Sequence, residues 1–169
     1  MEESINSNLK RLEQGEENPE VLEKGIEAIQ QSAPLVQKDL RTYSSLSLAF
    51  IGDCVFELIM RTRVISHGNR KNHQLHQDTV KLVNAHGQML LMNEMKPFLT
   101  DEEKAVFRRG RNAKPASTAK NQSHHDYRIA TGLECLMGYL YLAGRVERIL
   151  ELIGLGEEAL QKKADREED

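Results

Sequence analysis

Two carboxylates lie in apolar, helix-forming segments where charged residues are rare. Asp53 follows Ile51 and Gly52, and Glu134 is the only charged residue from Ile129 to Gly144. Burying a carboxylate without a partner is costly, or it keeps the acid protonated. A divalent cation, a basic partner or a substrate phosphate could compensate. A pair of such acids is typical of a metal-dependent active site.

Each acid has a simpler interpretation. Glu134 could be a buried acid that is paired with Arg128 or Arg145. Asp53, Glu57 and Arg61 lie four residues apart on one helix face, so Glu57 could simply form an ion pair with Arg61. Asp53 is harder to explain in this way, because Gly52 before it weakens a helix by about 1 kcal/mol relative to alanine. That glycine indicates that another group approaches closely.

The elements that must position these acids are helices. Apolar residues recur at the helical period and alternating strand patterns are absent, so the sequence predicts an all-α fold. The capping-box pattern Thr100-Asp-Glu-Glu103 predicts a helix start. The predicted helices cover about 47–66, 72–95, 101–109, 127–143 and 145–153.

Length and charge divide the 169-residue chain into three parts. We expect a polar, partly helical N-terminal extension (1–43), a central domain that carries both acids (44–156) and a charged, frayed tail (157–169). The net charge is −3, but residues 105–125 contain no acidic residue. The basic side chains of this region form a candidate phosphate-binding surface on the end of a helix and a long loop. They are Arg108, Arg109, Arg111, Lys114 and Lys120.

Composition removes several classes of function. No apolar run reaches the length of a membrane span, and the acidic start lacks the pattern of a signal peptide, so we expect a cytoplasmic protein without membrane contact. Cys54 and Cys135 lack CxxC spacing and are predicted to be small buried thiols. Phosphate-loop, dinucleotide and serine-hydrolase motifs are absent. Aromatic residues do not alternate with the basic ones, which favours duplex or structured RNA over single strands.

Several motifs in order carry a family resemblance. Residues 48–57 (LAFIGDCVFE) and 129–142 (IATGLECLMGYLYL) resemble the two signature helices of the ribonuclease III domain. More narrowly, the chain resembles the Mini-ribonuclease III group, which lacks a separate double-stranded-RNA-binding domain. This narrower match rests on Gly52-Asp53 followed by Glu57 and Arg61, on 109–114 (RGRNAK), on 125–128 (HDYR) and on 138–141 (GYLY).

The resemblance implies an all-α ribonuclease III fold and a homodimer. It also implies cleavage of double-stranded RNA that depends on Mg2+, for which Mn2+ can substitute, and leaves 5′-phosphate and 3′-hydroxyl ends. In Mini-type members it implies maturation of large-subunit ribosomal RNA precursors.

Asp53 and Glu134 would then be the catalytic metal ligands, with Glu57 as an outer-sphere carboxylate and Asp126 as a weaker candidate. Full-length family members carry two further acids, at the positions of Ala49 and Thr131 here. Two alternatives stay open at this point. One is a catalytically inactive RNA-binding or ribosome-associated module, and the other is a structural helical dimer whose acids are salt-bridged.

Overall fold

A computed structural model describes residues 28–33, 35, 39–114 and 124–167. The chain forms two compact units, Met1–Lys38 and Asp39–Asp169. In the first unit, residues 28–32 are helical. The described part of the second unit contains helices and no strands, which confirms the all-α prediction. No helix within these ranges is long and apolar enough to cross a membrane. The α-helices, numbered in chain order, are α1 (Ser45–Ser66), α2 (Asn72–Val83), α3 (Ala85–Met95), α4 (Asp101–Arg111), α5 (His124–Leu142) and α6 (Val146–Glu167), with 3-10 turns at Leu40–Thr42 and Lys96–Phe98.

Helix α5 is the centre of the second unit. It packs against α1, α3, α4 and α6, and its interface with α1 is the largest. From Ile129 to Tyr141 every residue except Glu134 is buried. A helix that is apolar on all sides is stable only when other elements surround it. The position of Glu134 within such a helix therefore requires an explanation.

Helices α1 and α5 touch at the level of the backbone. A Cβ atom on Gly52 would overlap the carbonyl oxygen of Glu134, and one on Gly138 would overlap the carbonyl oxygen of Leu48. Larger side chains at these two positions would push the helices apart. The close approach inferred from Gly52 is therefore a helix–helix contact.

The predicted helix over 72–95 is interrupted at Asn84. This residue has an extended backbone conformation (φ −70°, ψ 161°), and its side chain accepts a hydrogen bond from the Gly87 backbone N–H at 2.8 Å. Asparagine competes with the helical hydrogen bonds in this way, so it ends α2 and caps α3. The sequence pattern missed this break because both helices are apolar on one face.

Two other helix ends test the sequence analysis. The capping box at α4 is confirmed: Thr100 Oγ1 accepts from the Glu103 N–H at 3.2 Å, and Glu103 Oε2 accepts from the Thr100 N–H at 2.8 Å. The prediction that the last helix ends near residue 153 is wrong, because α6 continues to Glu167. Ion pairs of Glu157 with Arg63 and of Lys163 with Glu94 connect this continuation to α1 and α3.

The glycine contact between α1 and α5 gives a stability prediction. We expect Gly138→Ala to lower the free energy of unfolding by at least about 2 kcal/mol, because its methyl group has no space. The control is Gly154→Ala in α6, where no atom lies within 4 Å of the new Cβ. It should leave stability unchanged or raise it by up to about 1 kcal/mol. Urea unfolding measures both, and equal effects of the two substitutions would contradict the proposed contact.

Candidate active site

The α1–α5 contact brings the two acids of the sequence analysis together. Gly52 lies against the backbone of Glu134, and Asp53 is the next residue of α1. Asp53 is exposed at the surface, whereas Glu134 is partly buried. Repulsion by the Asp53 carboxylate is one of the causes that raise the pKa of Glu134. Two carboxylates from separate helices therefore share one site.

Both acids are shifted toward the protonated form. Burial, and then repulsion by the Asp53 carboxylate, raise the pKa of Glu134 to about 7. Partial burial, and then the nearby Glu57 carboxylate, raise the pKa of Asp53. These directions are opposite to those of carboxylates in ion pairs, so negative charge in this site is not neutralised by the protein.

The arginines that could have paired with Glu134 are engaged elsewhere. Arg128 donates to the Arg111 carbonyl oxygen at 3.0 Å and to Asn112 Oδ1 at 3.2 Å. Arg145 forms ion pairs with Glu102 and Glu103. Within the described ranges neither Asp53 nor Glu134 forms a salt bridge. The structure thus contradicts the interpretation of Glu134 as an acid paired with Arg128 or Arg145.

The two other candidate acids of the sequence analysis have partners of their own. Glu57 forms the expected ion pair with Arg61 at 2.5 Å. Asp126 contacts the Nδ1 atoms of His86 and His125 at 3.0 and 3.2 Å.

The donor set fits a hard divalent cation that keeps much of its water. In the part of the chain that the structure describes, no three His, Cys, Asp or Glu side chains cluster as metal ligands. Mg2+ is commonly held by one or two carboxylates together with water and phosphate oxygens. Asp53 and Glu134, which carry uncompensated negative charge, suit that requirement.

The candidate phosphate-binding side chains separate into two groups. Arg108 and Lys114 are exposed and Arg111 is partly exposed, all at the end of α4 or just after it. Arg109 instead points inward: its Nη1 donates to the Arg41 carbonyl oxygen at 2.8 Å, and its Nε and Nη2 are buried. Lys120, with most of the predicted basic loop, lies outside the described residues.

Comparison with known proteins decides the family. The model of the ribonuclease III domain matches residues 46–145. The chain belongs to the ribonuclease III family. It is 41% identical over 134 residues to Mini-ribonuclease 3 of Clostridium tetani, covering 76% of this chain and 89% of that protein. It is 38% identical over 142 residues to Mini-ribonuclease 3 of a Thermoanaerobacter species, covering 83% and 100%.

A solved structure is similar to this fold. The crystal structure of a Fusobacterium nucleatum protein superposes with a TM-score of 0.65 at 31% identity, and the match covers 72% of this chain and 98% of that one. The comparisons confirm the resemblance to Mini-ribonuclease III. As a member of the ribonuclease III family, the protein is an endoribonuclease.

One residue of the site, Gln88, was not identified from the sequence, and the burial of Cys54 was predicted wrongly. Gln88, which is 2% exposed, donates through Nε2 to Glu134 Oε1 at 3.3 Å. The sequence does contain a sign of its burial, because Gln88 lies on the same face of α3 as the apolar residues Leu91, Met92 and Met95. Cys54, predicted to be buried, is instead exposed on α1, whereas Cys135 is buried as predicted.

The raised pKa of Glu134 makes stability depend on pH. Between about pH 4.5 and 7 the native chain retains a proton that the unfolded chain releases, so the free energy of unfolding falls as pH rises. We expect Glu134→Gln to be more stable than the parent by up to about 3 kcal/mol at pH 8, and by little near pH 4. Urea unfolding in EDTA measures this difference. An equal pH dependence for Glu134→Gln and the control Glu147→Gln, on the exposed face of α6, would contradict it.

Proposed function

We propose that the protein is a Mg2+-dependent endoribonuclease that cleaves double-stranded RNA and matures large-subunit ribosomal RNA precursors. One observation carries the metal requirement: Asp53 and Glu134 share a site without a basic partner among the described residues. The Mini-ribonuclease 3 relatives support the RNA substrate. Ribosomal RNA as the target follows from the family resemblance, and a cytoplasmic location would suit that substrate.

In this proposal Asp53 and Glu134 hold the ion, and Glu57 is the candidate for an outer-sphere carboxylate. A bound Mg2+, or Mn2+ in its place, supplies an activated water and neutralises charge at the scissile phosphate. Glu134 can hold the ion only when its carboxylate is ionised, so cation binding would displace its proton. The products would carry 5′-phosphate and 3′-hydroxyl ends.

The substitutions Asp53→Asn and Glu134→Gln test the assignment. We expect Asp53→Asn and Glu134→Gln each to lower kcat on an RNA duplex by at least about 100-fold, close to 3 kcal/mol in activation free energy. Both variants should keep their circular dichroism spectrum, and Glu147→Gln should cleave as the parent does. Cleavage by either site variant at the parental rate with Mg2+ present would contradict the assignment. A parent chain that binds the duplex without cutting it would instead support an inactive RNA-binding module.

We further propose that Arg108, Arg111, Lys114 and Lys120 bind RNA phosphates. Duplex RNA is recognised mainly through its shape and backbone, so the side chains of Arg108, Arg111 and Lys114, which are exposed or partly exposed, suit this role. Arg109, whose guanidinium group is mostly buried, would support the fold of this region.

The salt dependence of RNA binding tests whether these basic residues contact phosphates. We expect replacement of Arg108, Arg111, Lys114 and Lys120 by glutamine to weaken duplex binding and to reduce its salt slope by about one for each phosphate that is no longer neutralised. Binding is measured with Ca2+ in place of Mg2+ at several salt concentrations. Removal of Lys162 and Arg166 on α6 is the control for a general change in charge. An unchanged slope in the first variant would remove these residues from the interface.

We also propose that the chain forms a homodimer, and the outer face of α1 supports this proposal. Leu46, Phe50, Cys54 and Leu58 lie four residues apart along this helix and are exposed, Phe50 to 78% and Leu58 to 67%. An exposed apolar stripe of this kind is typical of a protein interface. It lies beside the stripe that carries Asp53 and Glu57.

A charged side chain introduced into the exposed apolar stripe of α1 tests the proposed dimer. We expect Phe50→Asp to convert a two-chain particle into single chains, because each interface would bury an unpaired carboxylate. The control is Val80→Asp on α2, a residue that is 41% exposed. Sedimentation equilibrium gives the mass, and a Phe50→Asp particle of two chains would place the interface elsewhere.

A further inference from the structure

Gln88 is a buried amide that joins three elements. Its Nε2 donates to the Val83 carbonyl oxygen at 3.0 Å and to Glu134 Oε1 at 3.3 Å. Val83 is the last residue of α2, and Gln88 lies in the first turns of α3, just after the break at Asn84. The break therefore places a backbone carbonyl where it fixes one side of the amide, and the other side faces the candidate active site on α5.

Stability alone does not explain a glutamine at this position. Its Oε1 atom is buried and has no hydrogen-bond partner in the described part of the chain. A buried acceptor without a partner is unfavourable, and an apolar side chain of similar length would avoid it. Leu91, Met92 and Met95 fill the rest of this stripe of α3.

The hydrogen bond to Glu134 explains the glutamine instead. Among the described residues, Gln88 provides the one side-chain donor that contacts its carboxylate. Glutamate has three rotatable side-chain bonds, and ordering them costs free energy when a ligand binds. A donor that is itself anchored fixes the carboxylate before the ligand arrives.

We propose that Gln88 is a positioning residue that holds the Glu134 carboxylate toward Asp53 so that the pair binds a divalent cation. This inference rests on the proposed function, in which these two acids are the metal ligands. Gln88 acts through Glu134 and does not itself contact RNA. Its loss should therefore affect metal binding and turnover more than RNA affinity.

The variant Gln88→Met keeps the length of the side chain and removes both donors. We expect Mn2+ affinity, measured by calorimetry without RNA, to fall by about 10- to 100-fold. On an RNA duplex at low Mg2+, kcat should fall by a similar factor and recover at high Mg2+, with KM for RNA changed less than about two-fold. The control is Thr79→Val, which changes a buried polar residue of α2. Among the described residues, its hydroxyl bonds within its own helix, to the Leu75 carbonyl oxygen. This variant should bind Mn2+ and turn over as the parent does.

The outcomes separate the two proposals. If the parent cleaves the duplex and Gln88→Met binds Mn2+ as tightly as the parent, the inference about Gln88 is wrong and the proposed function stands. If Gln88→Met weakens Mn2+ binding but the parent never cleaves RNA, the inference stands and the proposed function is wrong. A lower melting temperature of Gln88→Met with no change in its Mn2+ affinity also overturns the inference.

A measurement on the unaltered chain covers the case in which Gln88→Met does not fold. The side-chain amide signal of Gln88 in a nitrogen–proton correlation spectrum should shift when Mg2+ is added, because its acceptor Glu134 becomes a metal ligand. The amide of Gln161, which donates to Asp165 on α6, is the internal control and should not move. A Gln88 signal that stays in place at saturating Mg2+ would overturn the inference.

Discussion

The backbone contact between α1 and α5 determines where the acidic site lies. Gly52 and Gly138 leave no side chain at the crossing, so the two helices approach until backbone atoms touch. Asp53 follows the first of these glycines, and Glu134 lies one turn before the second on α5. The same contact that buries the apolar surface of α5 therefore brings two negative charges together. Packing energy from the core compensates for their repulsion, as is common where a functional site opposes stability.

The distribution of cations in the fold leaves that repulsion in place. Arg148 and Arg145 pair with the buried Glu103, whose pKa is lowered, against its burial, by hydrogen bonds from Arg148 and from the Thr100 backbone. Arg128 binds the end of α4. The arginines near α5 thus stabilise structural acids and helix ends, and none compensates Asp53 or Glu134 in the described ranges. The contrast between Glu103 and Glu134 distinguishes a carboxylate that supports the fold from one that is available for a ligand.

Much of this arrangement could be predicted from the sequence, and the exceptions have physical reasons. The helical class, the α4 capping box and the two candidate acids follow from periodicity, local hydrogen-bonding chemistry and the rarity of charge in apolar helices. The break at Asn84 and the length of α6 do not, because they depend on a side-chain cap and on ion pairs between distant helices. The partners of Arg109, Arg128 and Gln88 likewise depend on contacts between elements far apart in sequence. Sequence reveals that Glu134 needs compensation, but only the packing shows that no arginine supplies it among the residues that the structure describes.

The central claim is that Asp53 and Glu134 form an uncompensated pair of carboxylates that takes up a divalent cation. Proton release on metal binding tests it most directly, by calorimetric titration of Mg2+ at pH 6 and pH 8 in buffers of different ionisation enthalpy. Because the pKa of Glu134 is about 7, binding should release close to one proton at pH 6 and far less at pH 8. The release should disappear in Glu134→Gln. Absence of Mg2+ binding, or a proton count that is the same at both pH values, would contradict the account.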